Sequence, residues 1–182
     1  MPASHPVPTP YGCTEGVLLM ELITDDAGNS APRLNDVSMS AEQASEDHAL
    51  MMQYVMRMFC AGIIHGDLSE FNVLVNDEGP VIIDLPQAVD AASNNNARAM
   101  FDRDVNNMTE YYGQFAPELL ETRYAQEIWA HYEEGDLHPE FALTGYAELD
   151  THEADLDAVM DEIKAAFEDE EARLERLKEA DE

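Results

Sequence analysis

The sequence predicts an α+β fold, mostly helical, with one short β-hairpin that carries the chemistry. Two apolar runs, Val73 to Val75 and Val81 to Ile83, flank the turn-forming residues Asn76-Asp77-Glu78-Gly79-Pro80, a hairpin pattern. Apolar residues recur at helical spacing in several separate segments, the clearest being Leu50, Met51, Tyr54, Val55, Met58 and Phe59. At 182 residues and 45% apolar content the chain is long enough to bury one real core.

Taken in order, Met1 to Pro10 carries four prolines and is expected to be extended. Gly16 to Ile23 reads as a buried strand ending in a linker. Thr24 to Met39 is polar, with Gly and Pro, and reads as loop. Ser40 is the expected cap of the first helix, with Gln43 completing a capping box, and Gly62 stops that helix. Its methionines are read as packing. Ser93-Asn94-Asn95-Asn96 breaks the chain ahead of a helix from Ala97 to Tyr112, whose stripe is Met100, Phe101, Val105, Met108 and Tyr112. Another helix is expected from Glu118 to Glu134, carrying Leu119, Leu120, Tyr124, Ile128 and Trp129 and ended by Gly135. His138 to Tyr146 is loop. Ala154 to Ala180 reads as a long helix, its last half dense in Glu and Arg at i, i+3 and i+4 spacing, hence a solvated helix rather than a coiled coil.

The open end of the hairpin is polar. Asp67 and Asn72 precede the first strand and Asp84 follows the second. Antiparallel pairing brings the start of one strand beside the end of the other, so Asn72 and Asp84 share a site across twelve positions of sequence. Oxygen ligands of this kind suit Mg²⁺, which takes few protein ligands and completes its shell with water and phosphate oxygens. A free carboxylate beside such a pair, here Asp67, is the working set for phosphoryl transfer from Mg·ATP.

His65-Gly66-Asp67 followed by Asn72 keeps the spacing of the His-Arg-Asp catalytic loop of protein kinases, with Gly in place of Arg. Asp84 takes the metal-binding place of Asp-Phe-Gly but is followed by Leu85-Pro86. With those departures, His65-Gly66-Asp67-Leu68-Ser69-Glu70-Phe71-Asn72 and Ile82-Ile83-Asp84-Leu85-Pro86-Gln87-Ala88-Val89 resemble the catalytic and metal loops of the RIO family of atypical serine/threonine protein kinases. Further matches are Met20-Glu21-Leu22-Ile23, Ala31-Pro32-Arg33-Leu34, Arg103-Asp104-Val105 and Glu127-Ile128-Trp129. The resemblance runs from about Pro6 to about Ala158 and leans to the archaeal Rio-one subfamily. Ala116-Pro117-Glu118 is read as a chance match to the motif that ends ordinary kinase activation segments.

The resemblance implies a protein-kinase-like large lobe. Residues 1–23 would be the end of a small lobe and the hinge strand, 24–150 the large lobe, and 151–182 a C-terminal acidic helix. It implies ATP and Mg²⁺, with Asp67 as base, Asn72 and Asp84 as metal ligands, and Asp84 also as acceptor of phosphate. The Glu21 carbonyl and Ile23 amide would read adenine, and His65 would hold the loop rather than react. It also implies a protein substrate or the pre-ribosomal small subunit as partner, in small-subunit maturation. No Gly-x-Gly-x-x-Gly occurs, and the two lysines, Lys164 and Lys178, follow the hinge. The expectation is therefore a large lobe alone, whose strand Val17 to Ile23 lacks sheet partners and exposes apolar surface. Two other functions compete. Aminoglycoside and choline kinases share His-Gly-Asp with a following Asn, but Ser69-Glu70 and Leu85-Pro86-Gln87 favour the RIO pattern. The other is a non-catalytic binding fragment.

Composition sets the remaining bounds. There are 39 acidic and 9 basic residues, a net charge of −30. Such a surface repels nucleic-acid phosphates and anionic membranes. Acidic residues are spread along most of the chain, so adaptation to molar salt, in a halophilic archaeal source, is preferred over mimicry of an acidic ligand. Cys13 and Cys60 have neither disulfide nor metal spacing and are read as small apolar residues. With no signal peptide and no apolar run of membrane length, the expected location is the cytoplasm. Salt adaptation is checked by denaturation: the unfolding midpoint should rise with added KCl, and a fall would exclude it.

Overall fold

The computed structural model describes residues 6–147. The helix expected over Ala154 to Ala180, and the segment 151–182 with it, lie outside the described residues. The elements are β1 (Pro10–Thr14), β2 (Val17–Met20), α1 (Ala41–Cys60), β3 (Ile63–Ile64), β4 (Val73–Asn76), β5 (Gly79–Ile82), β6 (Val89–Asp90), α2 (Ala97–Gly113) and α3 (Tyr124–Glu134). Short 3₁₀ turns occupy Leu34–Asp36, Glu70–Asn72 and Pro117–Glu121. The strands form three two-stranded antiparallel sheets, β1 with β2, β3 with β6, and β4 with β5. The mixed α and β content agrees with the predicted class.

Helix α1 begins where the sequence places it. Ser40 Oγ accepts the Gln43 N–H at 3.1 Å, the usual satisfaction of an orphan donor in a first turn. The capping box is only half formed, because the Gln43 amide donates to Asp47 Oδ1 at 2.9 Å instead of reaching back. Met51, Met52, Tyr54, Val55, Met56 and Phe59 of α1 are buried. That is wider than one stripe, because α1 packs against α2, β3 and β5. Phe101, Val105, Met108 and Tyr112 of α2 are buried as the periodicity requires, and Met100 is half-buried. Phe59 clusters with the rings of Phe101 and Trp129, with centroids 4.6 Å and 5.2 Å away.

Three expectations need correction. Gly16 to Ile23 is neither a buried strand nor a strand without a sheet partner, although its apolar residues are exposed as a large lobe alone implies. Val17, Leu18, Leu19 and Met20 are all exposed, and only Ile23 at the end is buried. Exposure follows from pairing with a single neighbour, β1, across a tight turn at Glu15 and Gly16, both with positive φ as such hairpin turns demand. Cys13, on β1, is exposed for the same reason rather than packed. The third correction is to Glu118 through Glu134, which is not one helix. The Thr122 hydroxyl and N–H both donate to the Leu119 carbonyl, ending the 3₁₀ turn, and Thr122 is extended. The break lets Leu120 lie on Gly113 of α2, where a Cβ would stand 2.4 Å from a Leu120 methyl. After it, buried Glu127 of α3 accepts from the Thr144 N–H and hydroxyl and the Gly145 N–H, fixing the chain that follows.

His48 of α1 is fully buried. Its Nε2 lies 3.0 Å from Thr109 Oγ1, and its ring meets Tyr112 and Tyr124 edge-on. Burial holds the imidazole down, at about 4 against an ordinary 6.5. The unfolded chain therefore takes up this proton at a higher pH than the folded one, and acid favours unfolding across that window. Unfolding free energy should lose about 3 kcal/mol from this group between neutral pH and pH 4. Denaturant titrations of His48→Gln beside the parent chain should show a shallower pH slope over the same range.

Candidate active site

The β4–β5 ladder pairs Val73 with Ile82 and runs to Asn76 opposite Gly79, leaving Asp77 and Glu78 as a two-residue tip. One step past the last pair, the Ile83 N–H donates to the Asn72 carbonyl at 2.9 Å. Asn72 and Asp84 thus emerge at the same end of the hairpin, as the spacing predicts. The Asn72 side-chain amide donates to the Asp67 carbonyl at 2.9 Å. That bond joins Asp67 to the pair and commits Nδ2, leaving Oδ1 to accept or to ligate. Asp67 and Asp84 are exposed. Asp84 has φ of 68°, the left-handed region that non-glycine residues seldom enter.

His65 is buried and ties the two loops together. Its Nε2 donates to the Ile83 carbonyl at 3.0 Å, and its Nδ1 accepts the Asp67 N–H at 3.3 Å. With Nδ1 accepting, Nε2 carries the proton. This is the holding role expected for His65.

A second set of contacts comes from α2. Asp104 Oδ2 accepts the Gly66 N–H at 2.7 Å, and Oδ1 accepts the Leu68 N–H at 3.1 Å. Arg103 donates to the Gly66 carbonyl, and the Asn107 amide donates to the Leu68 carbonyl at 2.9 Å. Burial pushes the Asp104 carboxyl up, opposed by the two N–H bonds and by His65 and Arg103. Gly66 has φ of 82°, and a Cβ there would stand 2.6 Å from the Gln87 carbonyl oxygen, so the loop after Asp84 can cross close above it. That loop is tied down by β6, where Val89 pairs with Ile64 and Asp90 with Ile63. Arg103 and Asp104 fall in a stretch that resembles the family without a role implied for them, and Asn107 carries no signal in the sequence. The available signal was an acidic residue inside an apolar stripe, three positions after Phe101 and four before Met108.

Of the two residues expected to read adenine, Ile23 packs against the same hairpin and Glu21 is held just before it. Glu21 is held to Thr9, its N–H donating to the Thr9 carbonyl at 2.9 Å and its Oε2 accepting the Thr9 N–H at 3.0 Å. Ile23 packs with Ala31, Val81 and Leu74, and its carbonyl accepts the Ala31 N–H at 2.9 Å. A cavity of about 280 Å³ runs from Glu21 through Asp26 to the tip residues Asn76, Asp77 and Glu78. Asp67, Asn72 and Asp84 are therefore gathered at the open end, while Glu21 and Ile23 lie along the strands toward the tip.

A model of the RIO domain matches residues 1–125 of the chain. The chain belongs to the RIO family. This RIO domain is 36% identical over 108 residues to the RIO-type serine/threonine-protein kinase Rio1 of Haloferax volcanii, covering 58% of the chain and 35% of that protein. It is 32% identical over 122 residues to the serine/threonine-protein kinase RIO1 of Homo sapiens, covering 66% of the chain and 21% of that protein. The serine/threonine-protein kinase rio2 of Schizosaccharomyces pombe matches at 32% over 108 residues, covering 59% of the chain and 29% of that protein. The chain thus aligns with about a fifth to a third of each of these relatives.

The Asp104 clamp has a measurable cost of removal. Asp104→Ala leaves two buried N–H groups without an acceptor and should lower unfolding free energy by about 3 kcal/mol. Asp102→Ala, which breaks only the partly exposed pair with Arg98, should cost less than about 1 kcal/mol. Urea unfolding of the two variants side by side measures the difference.

Proposed function

We propose that this RIO domain is the large lobe of an ATP-dependent serine/threonine kinase, over 24–150, with residues 1–23 leading into it through the hinge. The observation that carries the reading is the Asn72–Asp67 bond. It joins the expected base to Asn72 through Nδ2 and leaves Oδ1 uncommitted by that bond, at the end of the hairpin from which Asp84 also emerges. An amide oxygen and an exposed carboxylate form a donor set that fits Mg²⁺, with room for water and phosphate oxygens.

Asn72 and Asp84 would hold Mg²⁺, which when bound supplies neutralisation of charge on the transferring phosphoryl group. Asp67 would take the proton of a serine or threonine hydroxyl as its oxygen attacks the γ-phosphorus and ADP departs. In a second, ATPase-like course an Asp84 carboxylate oxygen would itself attack, and water would later release the phosphate. The Glu21 carbonyl and the Ile23 amide would orient adenine. His65, Arg103, Asp104 and Asn107 touch no substrate in this scheme and act as positioning residues. The partner proposed is a protein substrate or the pre-ribosomal small subunit, as the family resemblance implies, and the proposed location is the cytoplasm.

Calorimetric titration with Mg·ATP, at a KCl concentration where circular dichroism shows the chain folded, tests the site. Saturable binding is expected, weakened about tenfold or more by Asp84→Ala. A folded chain that takes up no Mg·ATP would refute an ATP site formed by these residues alone.

A further inference from the structure

A second concave surface lies on the far wall of the hairpin tip. It has a volume of about 710 Å³ and runs between residues 37–40 with the first half of α1 on one side and residues 75–79 on the other. Its floor is apolar, made by Val37, Met39, Leu50 and Val75, each half-buried. Leu50 closes the base against Gly79, where a Cβ would stand 3.0 Å from a Leu50 methyl. Its rim is acidic. Glu46 stands on the helix side and Asp77 and Glu78 on the hairpin side; buried Asp47 also lines the groove, and no Lys or Arg among the described residues does.

We propose that this groove docks a basic peptide segment of a protein partner, with Lys or Arg side chains on the acidic rim and one large apolar side chain on the floor.

Charge complementarity selects this occupant. The ion pairs found among the described residues join Arg98 to Asp102 and His131 to Glu134 and Asp136, so none involves a rim carboxylate. Two carboxylates of the groove are held in place, one from each wall. Buried Asp47 is fixed by the Gln43 amide at 2.9 Å, and Asp77 Oδ2 accepts the Asp26 N–H at 2.8 Å. Groups oriented before binding lose little freedom on binding. Both also sit among like charges. Asp77 pushes the Asp26 carboxyl up, while burial, and then Glu46, push Asp47 up. An incoming cation relieves that repulsion. A second copy of the chain brings a net −30 of its own, and nucleic acid is a polyanion, so neither complements the rim. A small inorganic cation would leave the apolar floor unused. The volume falls within the roughly 300–1,000 Å³ of sites that enclose ligand-sized groups.

Acidic residues are spread over the whole chain, so the test separates this groove from the general charge. Fluorescence anisotropy is measured with a labelled Arg-Lys-Arg-Gly-Gly-Leu-Gly-Leu peptide, without nucleotide, at the lowest KCl that keeps the chain folded. Failure therefore leaves the phosphoryl-transfer reading intact. Glu46→Gln with Asp77→Asn is compared with Glu110→Gln plus Glu133→Gln, which removes equal charge from exposed positions outside the groove. Binding should weaken about five- to tenfold in the groove variant and less than about twofold in the control. Replacing both peptide leucines by Gly should weaken binding about fivefold or more. Equal loss in both double variants, indifference to the leucines, displacement by spermidine as effective as by unlabelled peptide, or no saturable binding would each overturn the proposal.

Discussion

The buried carboxylate of Asp104 is the constraint on which the arrangement of the catalytic-loop residues depends. A loop that must present Asp67 to solvent cannot satisfy its own backbone through a ladder. Gly66 and Leu68, on either side of Asp67, send their N–H groups to one side chain on α2. The carbonyls of the same two residues are taken by Arg103 and Asn107. All four backbone groups flanking Asp67 are thereby paired, and the loop is shaped by a helix rather than by its own sequence. Asp104 is costly to bury, and the surrounding donors are what make a carboxylate tolerable there. Asp67 itself is left exposed.

From that fixed loop the geometry propagates through short links. His65 reaches from the loop to Ile83, the residue before Asp84. Asn72 reaches back to Asp67, and Ile83 reaches back to Asn72. Three strands' ends and one helix face meet there, and Asp67 and Asp84 stay exposed. The unusual backbone of Asp84 fits the same picture, since a left-handed residue persists only where its neighbours over-determine it.

Much of this was legible in the sequence, and the reasons differ by element. The hairpin could be read because its apolar runs and turn residues are local signals, and the emergence of Asn72 and Asp84 at one end of it follows from strand geometry. The start of α1 could be read from Ser40. The environment of β2 could not be read from its own residues, because Val-Leu-Leu-Met looks the same whether a sheet covers it or water does; only the resemblance to a large lobe implied its exposure. The break before α3 was missed because Pro117 is welcome in a first helical turn, and what ends the turn is the Thr122 side chain, a contact without a periodic signature. The roles of Asp104 and Asn107 depend on partners more than thirty residues away. Spacing rules are silent at that range.

Those long separations have a kinetic side. Bonds that close over 36 to 39 residues of chain form only after α2 has docked on α1, because the entropy of closing such loops must be met by core packing. Phe59 and Phe101, one from each helix, make that packing. The shaped catalytic loop is thus a product of cooperative collapse, absent from any nascent or partly unfolded form in which the two helices have not met. Whatever the loop around Asp67 does, it can do only in a chain whose two helices have met.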